Sequence, residues 1–135
     1  MSARAVLITG GAARIGATLC EGLASDGWSV CVHYNQSNAD ADALCGRINA
    51  AGGHAVAISA DLTKVHYVDA LIARAADALG KPLTALINNA STFVPDTAQT
   101  LNNSSFDFHM DVNLRAPIML AKSFAAQCRQ ALSLI

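Results

Sequence analysis

The sequence predicts an α/β fold in which a parallel sheet of the doubly wound kind is covered on both faces by helices, with the strands in spatial order 3-2-1-4. Three observations predict it. Short runs rich in β-forming residues alternate along the chain with longer segments whose apolar residues recur at helical spacing. The short runs are apolar at consecutive positions, as strands buried on both faces must be. The first run passes through a glycine turn straight into a helical pattern, and such strand-helix-strand crossovers are right-handed and lay parallel strands side by side.

The elements follow in order. Val6-Leu7-Ile8 is the first strand, and Thr9 to Gly16 is the glycine turn. Ile15, Leu19, Gly22 and Leu23 mark the first helix, with Gly27 as its stop. Trp28 to Tyr34 reads as a second strand bounded by Gly27 and by Asn35 to Asn38. A second helix spans about Ala39 to Ala51, with Ala43, Leu44, Ile48 and Ala51 as its apolar face and Gly52-Gly53 as its end. Ala55 to Ile58 is a third strand, Val65, Val68, Ile72, Ala76 and Leu79 mark a third helix, and Leu83 to Ile87 is a fourth strand. After a loop from Asn89 to about Thr100, helical spacing resumes near Phe106 and carries Met110, Leu114, Ile118, Ala121, Phe124 and Cys128. Pro117 lies inside that helix; lacking an amide hydrogen, it predicts a kink and a freed carbonyl at Asn113.

At 135 residues, 53% apolar and with net charge −1, the chain fits a single globular domain, residues 1–135. The near-neutral balance speaks against nucleic acid and against an anionic membrane surface, and for a small-molecule partner. No apolar stretch approaches the ~20 residues that span a bilayer, and Met1 to Arg4 leads into a strand without a signal-peptide core, so the expected location is cytoplasmic. Cys20, Cys31, Cys45 and Cys128 form no C-x-x-C pair and read as reduced, packed thiols. His33, His54, His66 and His109 lack metal-ligand spacing, so no metal is expected.

Four clusters fall where the strands end at their carboxyl termini: Thr9 to Gly16, His33 to Ser37, Asp61-Leu62 and Asn88 to Ser91. An open α/β sheet places its ligand crevice there. Glycines let a backbone approach a pyrophosphate, and a helix N-terminus offers unpaired N–H groups and a positive dipole end. Each cluster alone has a structural reading, since Asp61 and Thr63 can cap a helix and Asn88-Asn89 can serve a turn. Together, in a βα context, they favour nucleotide binding.

Thr9-Gly10 through Gly16, Asp61-Leu62, Asn88-Asn89-Ala90 and Asn113 resemble, in that order, the cofactor loop, adenine contact, central-sheet motif and active-site asparagine of the short-chain dehydrogenase/reductase family. The resemblance runs to about Gln127 and implies a Rossmann-type dinucleotide-binding domain. Within the family the chain is most similar to pteridine reductases: Arg14 stands where most relatives have a third glycine, Ser91 stands where they have glycine, Phe93 follows, and His33-Tyr34 ends the second strand. The resemblance implies cofactor contacts from Gly10, Arg14, Ile15, Gly16, His33, Tyr34, Asn35, Ser37, Asp61, Leu62, Asn89, Ala90 and Ser91. It places Arg14 near the cofactor phosphates and matches Phe93 to a ring that sandwiches a pterin substrate against the nicotinamide; a loop anchor packed on the core is the other reading of Phe93. Asn113 would be the catalytic asparagine, its free carbonyl holding a water of the proton relay.

The end of the second strand, His33 to Ser37, contains no carboxylate to accept from a ribose 2′-OH, which favours NADPH over NADH. Arg14 and Ser37 can serve the 2′-phosphate, although Gln36 stands where pteridine reductases resemble one another in carrying arginine. The family's proton donor, a tyrosine with a lysine four positions on, has no counterpart: Tyr34 and Tyr67 are followed at that spacing by Asn38 and Leu71. The chain stops at Ile135, about where a fifth strand would begin, and residues 130–135 look unlike the expected glycine-containing turn. It is therefore expected to be the N-terminal, cofactor-binding portion of such an enzyme, by truncation or by a change of reading frame. The expected activity is NADPH-dependent hydride transfer to a C=N or C=O substrate; the competing reading is a catalytically inactive nucleotide-binding or interaction module. An exposed edge at the fourth strand predicts self-association, as a homo-oligomer.

Overall fold

The computed structural model describes residues 4–133, with side chains to residue 129. The first three residues, the last two, and the side chains on which the reading of the 130–135 tail depends lie outside the described part. The chain runs β1 (Ala5–Ile8), α1 (Arg14–Ser25), β2 (Ser29–Tyr34), α2 (Asn38–Ala50), β3 (His54–Ser59), α3 (Val65–Leu79), β4 (Ala85–Ile87), α4 (Asn103–Met110), a π-helical turn (Asp111–Arg115) and α5 (Ala116–Ser133). All strand pairs are parallel, and the sheet order is β3-β2-β1-β4, the order predicted.

Successive side chains of a strand point to opposite faces, so the consecutive apolar positions feed two cores. On one face, Leu7, Cys31 and Ile58 pack with Leu71 and Ile72 of α3 and Leu120 of α5. On the other, Val6, Ile8, Val30 and Val32 pack with Cys20 of α1 and Leu44 and Ile48 of α2. The sheet is thereby fixed between two helical layers, with its strand ends left to the loops.

The helical faces differ in phase from the sequence reading. In α1 the buried residues are Gly16, Cys20 and Ala24, while Ile15 is 71% exposed. The first turn of α1 stands above the strand ends, where Ile15 borders a cleft instead of the sheet. In α2 the helix turns Ala41, Leu44, Cys45 and Ile48 inward, a face spaced at i, i+3, i+4 and i+7, and leaves Ala43 and Ala51 outside.

The largest departure lies around Pro117. The predicted single kinked helix is instead α4, a π turn and α5. The amide of Ala116 returns to the carbonyl of Asp111, five residues back, just before the proline that has no amide hydrogen to give. The wider turn shifts the helical phase. Ala116 and Leu120 are buried and Phe124 packs against them, whereas Leu114 and Ile118 are 51% and 54% exposed. The β4 strand is also shorter than expected, because Thr84 turns its hydroxyl to the backbone of Ala5 and the backbone of Leu83 is held by the Gln127 side chain. Among the described residues, no helix is long and apolar enough to cross a membrane.

Candidate functional site

The site begins at Thr9, where β1 ends. Its amide donates to the carbonyl of Ile87 in β4, and its Oγ1 accepts from the amides of Asn89 and Ala90, each at 3.0 Å. The Asn89 side-chain amide donates in return to the carbonyls of Thr9 and Gly10 at 3.1 and 3.0 Å. These bonds lock the loop after β1 to the loop after β4.

Two glycines make the loop possible. Gly10 has φ +61°, and a Cβ there would lie 2.9 Å from the Ala90 Cα. At Gly16 a Cβ would fall 2.2 Å from the Gly10 carbonyl oxygen, so the first turn of α1 sits against the loop with no room for any side chain. Arg14 also takes a left-handed backbone, φ +54°, at the position where the family resemblance expects glycine. For a residue with a Cβ this costs about 1–2 kcal/mol.

His33 braces the loop from β2. Gly10 donates its amide to His33 Nδ1 at 3.0 Å, so that nitrogen carries no proton; Nε2 therefore holds the hydrogen and donates to the Ala60 carbonyl at 2.8 Å. The ring is 2% exposed. Burial pulls its pKa below the ordinary 6.5, with the Arg74 charge acting in the same direction and the bond to Ala60 opposing it. Both ring nitrogens are committed to backbone, which makes His33 a strut of the loop.

At the N-terminus of α1, Ala13 provides no side-chain cap and the first turn holds no acid. Its first amides thus present a positive dipole end with neither a side-chain cap nor an acid of the first turn to meet it. After β3, Asp61 Oδ1 accepts from the amide and hydroxyl of Thr63 at 2.9 and 2.6 Å. The Thr63 hydroxyl bond leads in holding the Asp61 carboxyl below its usual range, so the residue forms a turn and stays ionised. It does not cap α3, whose N-cap is Lys64.

These pieces surround one cleft of about 470 Å³. Gly10, Arg14, Ile15, Gly16, His33, Asn35, Asp61, Leu62, Asn89, Ala90 and Ser91 all line it. Tyr34, Ser37, Phe93 and Asn113 do not line it. Tyr34 turns its hydroxyl to Asn38 Oδ1 at 2.9 Å, on the α2 side. Ser37 precedes α2 and makes no side-chain cap. Phe93 is 82% exposed, which removes the loop-anchor reading. Asn113 uses its side chain to pair with the backbone of Thr92, accepting from its amide at 2.8 Å and donating to its carbonyl at 2.9 Å.

The sequence places Thr9 in the cofactor-loop motif without a role of its own, and does not mark Thr63, Thr92, Phe108 or Val112 as site residues. Thr9 works through its hydroxyl on two amides in a distant loop, a role that no local pattern signals. Phe108 and Val112 reach the cleft from α4 and the π turn, whose phase the sequence does not reveal. A second cleft, of about 460 Å³, lies between the C-terminal ends of α1 and α2; its charged residues Glu21 and Arg47 are already paired at 2.8 Å. Among the described residues, no group of three His, Cys, Asp or Glu side chains is placed to hold a metal.

A family model for short chain dehydrogenases matches residues 4–132. The chain belongs to the short-chain dehydrogenase family. It is 31% identical over 127 residues to an uncharacterized oxidoreductase of Methylorubrum extorquens, a match covering 94% of this chain and 50% of that protein. It is 30% identical over 123 residues to a 3-oxoacyl-[acyl-carrier-protein] reductase of Synechocystis, covering 91% of this chain and 49% of the relative. Among solved structures, the FolM alternative dihydrofolate reductase 1 of Brucella canis, complexed with NADP, superposes with TM-score 0.86 and 39% identity over 92% of this chain and 49% of that one. A short-chain dehydrogenase of Burkholderia cenocepacia in complex with NADP gives TM-score 0.88 and 34% identity over 93% and 51%. The chain spans about half the length of the curated relatives it matches. The short-chain dehydrogenase motifs recognised in the sequence are those that converge on the 470 Å³ cleft, apart from Asn113, which reaches it only through Thr92.

Proposed function

We propose that this chain is the cofactor-binding half of an NADPH-dependent short-chain oxidoreductase that reduces a C=N or C=O bond of a small molecule, with a pterin as the substrate class. One observation carries the reading. The uncapped positive end of α1, two glycines that tolerate no side chain, and the carboxylate of Asp61 meet in a single cleft at the carboxyl ends of the strands.

The residues present fit a dinucleotide. Gly10 and Gly16 allow close backbone approach, and the first amides of α1 suit a pyrophosphate. The Arg14 guanidinium has no ion pair among the described residues and stands exposed at the cleft for a phosphate. Asp61 keeps Oδ2 available to accept from an adenine amino group, since Thr63 occupies Oδ1. A reduced nicotinamide, when bound, supplies the hydride. Asn113 holds Thr92 and thereby the Ser91 to Phe93 segment beside the cleft, which suits an aromatic substrate stacking on Phe93. The similarity to NADP-complexed FolM alternative dihydrofolate reductases supports both the cofactor and the substrate class.

A second reading, cofactor binding without turnover by the chain as given, is favoured by the tyrosines. Tyr34 is bonded to Asn38, and Tyr67 lies on α3 with its ring tilted against His66; neither lines the cleft, so neither offers a proton there. Isothermal titration of NADPH and NADH decides the cofactor: NADPH preference that disappears in Arg14→Ala is expected, and equal or absent affinity for both overturns the reading. NADPH oxidation with biopterin or folate separates an enzyme from a binding module.

A further inference from the structure

Phe93 is 82% exposed, yet the peptide groups on both sides of it are pinned by side chains of another element. Asn113 of the π turn accepts from the Thr92 amide and donates to the Thr92 carbonyl, and the Val94 amide donates to Nε2 of His109 at 2.9 Å. Two residues further on, Asp96 accepts from the Ser105 hydroxyl. Ser105, His109 and Asn113 follow one another at four-residue spacing, so they share one side of the helical run, and they hold alternate residues of the segment, Asp96, Val94 and Thr92. Pro95 contributes from within the segment, because its ring biases Val94 towards extended backbone. Phe108, whose ring meets that of His109 edge-on at 5.9 Å, lines the cleft together with Thr92, so the pinned segment adjoins the site. An exposed aromatic ring on a backbone held at both neighbours is a preorganised platform, with little ordering left for a ligand to impose.

We propose that His109 is a positioning residue that holds Phe93 in place for a flat heteroaromatic substrate, and that acid releases it. The inference rests on the reading of Phe93 as a stacking surface beside the dinucleotide cleft. His109 Nδ1 donates to the Ser105 carbonyl at 2.7 Å, so Nε2 carries the lone pair that Val94 uses and the ring is neutral. Of the three side chains that hold the segment, only His109 exchanges an acceptor for a donor on taking up a proton, and N–H would then oppose N–H at Val94. Among the described residues, the charged groups of the segment and of the helical run around His109 are Asp96, which is taken up by Ser105, Asp107, and the pair Asp111 and Arg115 at 3.0 Å. Affinity for the flat ring is full while His109 is neutral and falls as the pH drops through its titration.

The test is an acid titration of the isotope-labelled full chain from about pH 7.5 to about pH 5.5, the range in which histidine side chains change charge. In the wild type the His109 ring resonances and the Val94 amide resonance move with one midpoint. Protection of the Val94 amide from exchange drops about fivefold, as the loss of one ordinary hydrogen bond implies. With NADP present, affinity for biopterin falls over the same range. His109→Gln, whose side-chain oxygen still accepts from Val94 but takes up no proton, keeps Val94 protected at both ends and shows the shallower affinity profile. His33 is common to both chains, so the difference between them isolates His109. A Val94 amide that ignores the His109 titration overturns the proposal, a result that does not depend on how the variant folds. Biopterin affinity with the same pH dependence in wild type and His109→Gln overturns the positioning role and leaves the stacking reading of Phe93 standing. No biopterin binding by the wild type at either pH overturns the stacking reading and this inference with it, and NADP binding in the same sample shows whether the cofactor cleft falls too.

Discussion

The backbone amide of Gly10 donates to Nδ1 of His33 at 3.0 Å, so the turn that shapes the cleft depends on one buried, neutral imidazole. Protonating the ring replaces that acceptor with a second donor. Because burial lowers the His33 pKa in the folded chain from its ordinary 6.5, the unfolded chain takes up the proton first as the solution is acidified. Stability from this residue is present above pH 6.5 and is lost as the pH falls through the folded-state value. The thermal unfolding midpoint of the wild type therefore drops on going from about pH 7 to pH 5, and His33→Asn, whose side-chain oxygen can still accept from Gly10, shows a flatter profile. A profile unchanged by the substitution removes His33 as the source.

At Gly16 the outcome is decided by backbone. A Cβ would lie 2.2 Å from the Gly10 carbonyl oxygen and 2.8 Å from the Gly11 Cα, and neither can swing aside like a side chain. Gly16→Ala is expected to cost about 1–3 kcal/mol in denaturant unfolding and to abolish NADPH binding. Gly22→Ala is the control, because nothing lies within 4 Å of a Cβ there and alanine favours the helix. Equal stability of the two variants would contradict the packing.

The parallel sheet and its order were legible because each strand advertises itself by consecutive apolar residues, and crossover handedness then leaves few topologies. The loop glycines were legible because the chemistry of close approach is local. The roles of His33 and Asn113 were not. Both residues stand where the resemblance marks a ligand contact or a catalytic group, but their hydrogen bonds run to backbone in distant loops. Helix phase near Pro117 was hidden for a similar reason: a π turn adds one residue to the repeat without any change in composition.

Thiol chemistry should separate the cysteines. Burial pushes Cys20 and Cys31 up to about 12, and raises Cys45 as well. At pH 8 only roughly one part in ten thousand of a thiol with such a pKa is ionised, so nucleophilic attack is suppressed. Cys128 on α5 is half-buried. Limited labelling of the native chain with a disulfide reagent, followed by peptide mass mapping, is expected to modify Cys128 first. Preferential labelling of Cys20 or Cys31 in the folded chain would mean that the β1 and β2 core opens readily.

Asn113 and Thr92 form a reciprocal pair, amide to side-chain oxygen and side-chain amide to carbonyl, at 2.8 and 2.9 Å. Asn113→Ala removes both bonds from an exposed segment, and its expected cost in global stability is about 1 kcal/mol or less. The larger effect is local. Amide exchange at Thr92 accelerates, while exchange in β1 does not change, because the strand ends are held separately by Thr9 and Asn89. Asn113→Asp keeps the acceptor for the Thr92 amide and loses only the donor, so its exchange rate falls between wild type and Asn113→Ala. Equal protection of Thr92 in all three chains would place the anchor of this loop elsewhere.

Arg14 sets stability against binding within one residue. Its backbone is left-handed at φ +54°, a conformation that glycine adopts without the Cβ conflict. Arg14→Gly relieves about 1–2 kcal/mol of that strain. Against this, glycine is a poor helix former, but the penalty of up to about 1 kcal/mol applies to helix interiors, and Arg14 is the first residue of α1. The net expectation is a more stable chain with a higher denaturant midpoint. The same change deletes the exposed guanidinium beside the α1 N-terminus, so NADPH affinity falls and its dependence on salt becomes shallower. Arg14→Lys keeps the strain and a charge, and it is expected to match the wild type in stability while binding more weakly. A destabilised Arg14→Gly chain with unaltered NADPH affinity would mean that the arginine side chain serves the fold and not the ligand.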